Sequence, residues 1–175
     1  ALRLDNDSSV SFGKQCFMGC GYLRTLNIPK GVLLFDECFS NCQGLSILTF
    51  TETDNRVFSY LGNKCFYQCN NINIINFNDC VNTLGNNCFR DCTSLENVDL
   101  KNSILSVGEG CFRSCRNLTT VTLGEDLKKL PALMFYECNK LKNIKNLKNI
   151  EEIDYMCFGH SGIEKINFNE NAKLI

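Results

Sequence analysis

A phenylalanine preceded by a sulfur-bearing residue returns seven times along this chain, at Phe17, Phe39, Phe66, Phe89, Phe112, Phe135 and Phe158. The steps between them are 22, 27, 23, 23, 23 and 23 residues. Three positions after each comes Cys20, Cys42, Cys69, Cys92, Cys115, Cys138 and finally Ser161. An apolar residue follows in every copy: Leu23, Leu45, Ile72, Leu95, Leu118, Leu141 and Ile163. Then comes an apolar pair two apart, as in Leu26 and Ile28, Leu48 and Phe50, Ile75 and Phe77, Val98 and Leu100, Val121 and Leu123, and Ile166 and Phe168. The sixth copy breaks step, with Ile144 in place but Asn146 at the second position and Leu147 beside it. Five residues before each Phe stands Phe12, Leu34, Leu61, Leu84, Val107, Leu130 or Ile153. A period of a few tens of residues is the signature of a solenoid, because one repeat cannot bury its own apolar face and stacking the repeats makes one core.

Each segment of the repeat has its own physical reading. The block L-x-x-I-x-L ends on a period of two, which describes a short strand with one buried face. The block C-F-x-x-C-x-x-L puts apolar groups at i, i+1, i+4 and i+7, the stripe of a short helix or helical turn. Gly, Asn, Asp and Ser between the blocks are turn formers. The expected fold is thus a mostly β member of the α/β class. It is one domain over residues 1–175, a solenoid of about seven turns with parallel strand pairing and short helical turns opposite the sheet. The extra length at Thr51 to Asn55, TETDN, reads as a polar surface loop. Leu2 and Leu4 already read as a strand, and Leu174 and Ile175 sit mid-repeat. The chain is therefore expected to be a piece of a longer array.

The bulk properties exclude some classes of function. A net charge of -1 leaves no electrostatic footprint for nucleic acid. Lys128, Lys129, Lys140, Lys142, Lys145 and Lys148 are interleaved with Glu125, Asp126, Glu137, Glu151 and Glu152, which reads as a solvated face. No run of apolar residues is long enough to insert in a membrane.

The pattern C-F-x-x-C-x-x-L-x-x-I-x-L at a period of 23 residues resembles the BspA-like family of leucine-rich repeats. The resemblance covers nearly the whole chain. It departs from the family in one respect: the first Cys of each turn takes a place that Ala usually holds. The resemblance implies a right-handed superhelix with its parallel sheet on the concave face. It also implies a cell-surface or secreted protein that takes part in adhesion or host interaction by binding another protein. An intracellular interaction scaffold with reduced cysteines is the alternative.

Thirteen cysteines need an account. Metal ligation, disulfides and plain packing compete. In the sixth copy the first Cys becomes Met134 while Cys138 stays, and in the seventh Cys157 stays while its partner becomes Ser161. A crosslink or a ligand pair would lose both members together, so packing is favoured. No cofactor or metal is expected. His160 is the only histidine, and its neighbour Cys157 sits at a position that the pattern buries. A catalytic thiol needs an exposed thiolate, so no enzyme is expected. Two N-x-S/T sequons occur, at Asn6-Asp7-Ser8 and Asn117-Leu118-Thr119.

Alternation along the strand block turns two rows outward. They contain Ile47, Thr49, Ile74, Asn76, Asn97, Asp99, Thr120 and Thr122, the residues expected to contact a protein ligand. Ile47 and Ile74 interrupt an otherwise polar face on adjacent turns.

Overall fold

A computed structural model describes residues 10–52, 57–167 and 173–174. In chain order the strands are β1 (Ser11–Phe12), β2 (Thr25–Pro29), β3 (Leu33–Leu34), β4 (Ile47–Thr51), β5 (Ser59–Leu61), β6 (Ile74–Asn76), β7 (Val81–Leu84), β8 (Asn97–Asp99), β9 (Ser106–Val107), β10 (Thr120–Thr122), β11 (Lys129–Leu130), β12 (Asn143–Lys145), β13 (Glu152–Ile153) and β14 (Lys173–Leu174). They form a β-solenoid in which each of the first six turns adds one rung to two separate parallel ladders. One ladder runs β2-β4-β6 and then β8-β10-β12. The other runs β1-β3-β5-β7-β9 and then β11-β13-β14. Register follows the repeat: Leu26 stands opposite Leu48 and Leu48 opposite Ile75, as Val98 does Val121 and Val121 Ile144.

The seven phenylalanines make one continuous stack. Successive ring centroids lie 4.9, 5.6, 5.3, 5.5, 5.9 and 5.7 Å apart from Phe17 to Phe158, with ring planes within 13° of parallel. The spacing tracks the rise from turn to turn, roughly 4.8 Å between hydrogen-bonded strands. Rings of one column are therefore held in offset contact by the backbone itself. Phe39, Phe66, Phe89, Phe112 and Phe135 are fully buried, and Phe17 and Phe158 close the column half-buried.

The arc that carries these rings is not helical. Apart from one 3-10 turn at Leu147–Asn149, no helix occurs among the described residues. In every turn the residues two before and two after the Phe take a left-handed backbone, from Gln15 and Gly19 at one end to Met156 and His160 at the other. Within this arc alternate amides bond locally and laterally. Around Phe39, the N–H groups of Cys38, Ser40 and Cys42 donate three residues back, to Phe35, Glu37 and Phe39. Those of Glu37, Phe39 and Asn41 instead donate to Asn63, Cys65 and Tyr67 of the next turn, at 2.8 to 2.9 Å. A left-handed non-glycine residue costs about 1–2 kcal/mol. Around Phe39 the lateral bonds offset that cost by leaving none of these six amides orphaned.

Two local expectations are corrected, at Thr51 and in the seventh turn, and the break in the sixth gains a physical reason. Thr51 belongs to strand β4 rather than to a loop, and its hydroxyl donates to Asn27. Glu52 is exposed, and Thr53 to Asn55 lie outside the described residues, as do Leu2, Leu4, the Asn6 sequon, Phe168 and Ile175. In the sixth turn Asn146 takes a left-handed backbone and donates its side-chain amide to Leu123 O at 2.8 Å, which swings Leu147 into the core. The seventh turn is one residue short, since Phe158 to Ile163 is five steps where Phe135 to Leu141 is six. Residues 164–167 accordingly form no strand, although Ile163 and Ile166 still pack against the core.

Eleven of the thirteen cysteines are buried, and only Cys16 and Cys20 in the first turn are exposed. The second Cys of each pair does more than fill space. Cys42, Cys69, Cys92, Cys115 and Cys138 donate Sγ–H to the carbonyl of the Phe one turn earlier, at 3.1 to 3.3 Å. The first Cys makes no such repeated bond, which explains why Met134 can replace it.

Candidate functional site

Strands β4, β6, β8 and β10 position the residues expected to meet a ligand. Ile47 pairs in register with Ile74 and Thr49 with Asn76. Asn97 pairs with Thr120 and Asp99 with Thr122. Ile74, Asn76, Asn97 and Asp99 are exposed, while Ile47, Thr49, Thr120 and Thr122 are half-buried. Between them the backbone alternation hides Leu48, Val98 and Val121.

The ladder parts between β6 and β8, which belong to separate sheets. Over the parting lies a groove of about 430 Å³, with Ile74, Asn97, Asp99, Thr120, Thr122 and Lys145 in its lining. Five of the eight expected residues thus converge on one depression, and Ile47, Thr49 and Asn76 stand on its β4 and β6 side. Lys145 is not among those eight, although it occupies the same outward row as Asp99 and Thr122, in register with Thr122. Ile74 is 50% exposed. An apolar side chain ringed by amides, hydroxyls and charges has the make-up of a protein contact surface.

Side chains on this face also bind each other. Thr49 donates to Asn27 at 3.0 Å and Thr119 donates to Asn97 at 3.4 Å. Lys101 pairs with Asp99 at 2.7 Å, and this carboxylate raises the lysine pKa. These contacts tie Thr49, Asn97 and Asp99 to their neighbours before any ligand arrives.

Cys157 and His160 do not line this groove. Burial pushes the Cys157 thiol up to about 12, so it carries no thiolate at neutral pH. His160 is exposed, with its ring edge-on to Tyr136 at 5.2 Å. Among the described residues no group of three or more His, Cys, Asp or Glu side chains converges as a metal site would. No helix among them is long and apolar enough to cross a membrane.

The model of the BspA type leucine rich repeat region matches residues 3–60 and 59–175, in six copies. The chain belongs to the BspA-type leucine-rich-repeat family. No match exists among curated proteins. Of solved structures, a T. pallidum leucine-rich-repeat protein superposes with a TM-score of 0.72 at 27% identity, over 83% of this chain and 66% of that one. A leucine-rich cell surface protein from Faecalibacterium prausnitzii A2-165 superposes with a TM-score of 0.62 at 22% identity, over 94% of this chain and 38% of that one. The chain therefore spans less than two thirds of either. BspA-type repeats are interaction modules, and the solenoid here sets the two sheets β2-β4-β6 and β8-β10-β12 in succession along one side.

Proposed function

We propose that this BspA-type solenoid is a non-catalytic module that recognises a protein ligand through its β4–β10 sheet face, and that it serves adhesion or host interaction at a cell surface. The groove over the β6–β8 parting carries the reading, because it gathers an exposed Ile74 and a polar rim in one concavity. The Faecalibacterium neighbour, a leucine-rich cell surface protein, supports the location. An intracellular scaffold is the second reading. It draws on the five Sγ–H donors to Phe carbonyls, which require the reduced thiol.

The test replaces Ile47 and Ile74 together with Thr, which keeps the β-branch. In a panel of immobilised extracellular host proteins and cytosolic proteins, wild type should be retained by at least one of the extracellular ones. Ile47→Thr/Ile74→Thr should keep its melting temperature and lose about tenfold or more in affinity, the weight of a central apolar contact. Retention of both proteins alike would remove the sheet face as the binding surface. Binding confined to cytosolic proteins would favour the scaffold reading.

A further inference from the structure

The parallel ladder β8-β10-β12 stops at β12. The Asn143 N–H donates to Thr119, and the Lys145 carbonyl accepts from Leu123, so both residues face β10. Alternation turns the N–H and C=O of Ile144 to the opposite edge. Among the described residues nothing hydrogen-bonds to that edge. The next turn would cover it, but that turn is the short one, and residues 164–167 run past β12 without pairing. The missing rung leaves a cavity of about 420 Å³ between β12 and residues 163–167.

The lining has two chemistries. Ile144, Ile163 and Ile166 are half-buried and give an apolar floor, while Lys142, Lys145 and Lys165 are exposed around it. Among the described residues no carboxylate lines the cavity. The lysine run that reads as one solvated face in the sequence divides here. Lys128 pairs with Glu151, and Lys129 with Glu152 and Asp154. Among the described residues no such ion pair joins Lys142, Lys145 or Lys165 to an acid. Three like charges around one opening set up a positive potential that an anionic partner relieves.

We infer that this opening is a strand-addition site for an extended segment of another protein in which acidic residues alternate with β-branched apolar ones. The free edge of β12 supplies the main-chain pairing, which gives affinity without regard to sequence. The isoleucine floor takes the inward side chains and the three lysines take the outward carboxylates, which gives selectivity. The opening shares Lys145 with the groove over β6 and β8, while Lys142 and Lys165 line the opening alone, so variants at those two separate the inference from that reading.

The experiment titrates a short fluorescein-labelled peptide of alternating Glu and Val against the full chain by anisotropy in low-salt buffer. Saturable binding is expected. It should weaken about tenfold in Lys142→Gln/Lys165→Gln, and again in high salt, as contacts of opposite charge require. The same peptide N-methylated at alternate amides should not bind, because it cannot pair with a strand edge. Circular dichroism checks that the variant remains folded. Equal binding of a Lys and Val peptide, of the N-methylated peptide or of the variant would overturn the site. So would the absence of saturable binding at millimolar peptide, or sedimentation of the free chain as a dimer joined through this edge.

Discussion

In reducing buffer the protein is expected to lose most of its stability between pH 9 and pH 11. Burial pushes the thiols of Cys88 and Cys138 up to about 12, as it does Cys157, and it holds Cys65, Cys111 and Cys115 well above their ordinary value of 9.0. A group whose pKa is raised by folding contributes its full stability below its unfolded pKa. Above pH 9 the unfolded chain releases those protons and the native chain does not, so stability falls as pH rises through the window from 9.0 to about 12. Each such thiol costs about 1.4 kcal/mol per pH unit. Cys88, Cys138 and Cys157 together remove about 4 kcal/mol by pH 10, a large part of the stability of an ordinary domain, and Cys65, Cys111 and Cys115 add to the loss in the same direction. Urea midpoints followed by circular dichroism at pH 7, 9 and 10 measure this directly. A midpoint that stays level up to pH 10 would show that these sulfurs are not buried thiols.

Truncating Phe89 to Ala is expected to cost about 3–5 kcal/mol and to lower the melting temperature by roughly 10 °C. The side chain is fully buried, stacked between Phe66 at 5.3 Å and Phe112 at 5.5 Å, and edge-on to Phe77 at 6.1 Å. Turns of a solenoid hold only their neighbours, so a gap in the middle of the stack weakens both interfaces of that turn. Phe17→Ala removes a half-buried ring with one stacked neighbour and should cost less. An unmoved melting temperature in Phe89→Ala, or an equal loss at both sites, would contradict the repeat phase.

The parts of the fold visible in the sequence are those where burial sets the residue type. The Phe column, the cysteine columns and the register of Leu26, Leu48 and Ile75 all follow from apolar spacing, because a buried position tolerates few side chains. The arc was not visible. The offsets i, i+1, i+4 and i+7 fit a helical stripe and a left-handed arc equally well. The positions that decide between them carry Gln15, Glu37, Lys64, Asn87 and Leu133, a mixture with no propensity in common. The second ladder was hidden for another reason. Strands such as β9 and β11 are two residues long, too short to show a period. At the candidate site the outward rows were legible by alternation alone. The parting of β6 from β8 was not, since Ile75 and Val98 look like every other buried pair. Nor was the cavity beside β12, which comes from a single missing residue after Phe158.

The claim that the sheet face is where this solenoid meets its partner can be tested by photo-crosslinking. A photoreactive phenylalanine analogue is placed at Ile74 over the groove in one variant and at Arg90 on the arc in another. Each is then irradiated with the bound host protein. A covalent adduct from position 74 and none from position 90 is the result expected, because the two positions lie on different faces of the coil. An adduct from position 90 with none from position 74 would place recognition on the arc and contradict the assignment of the sheet face.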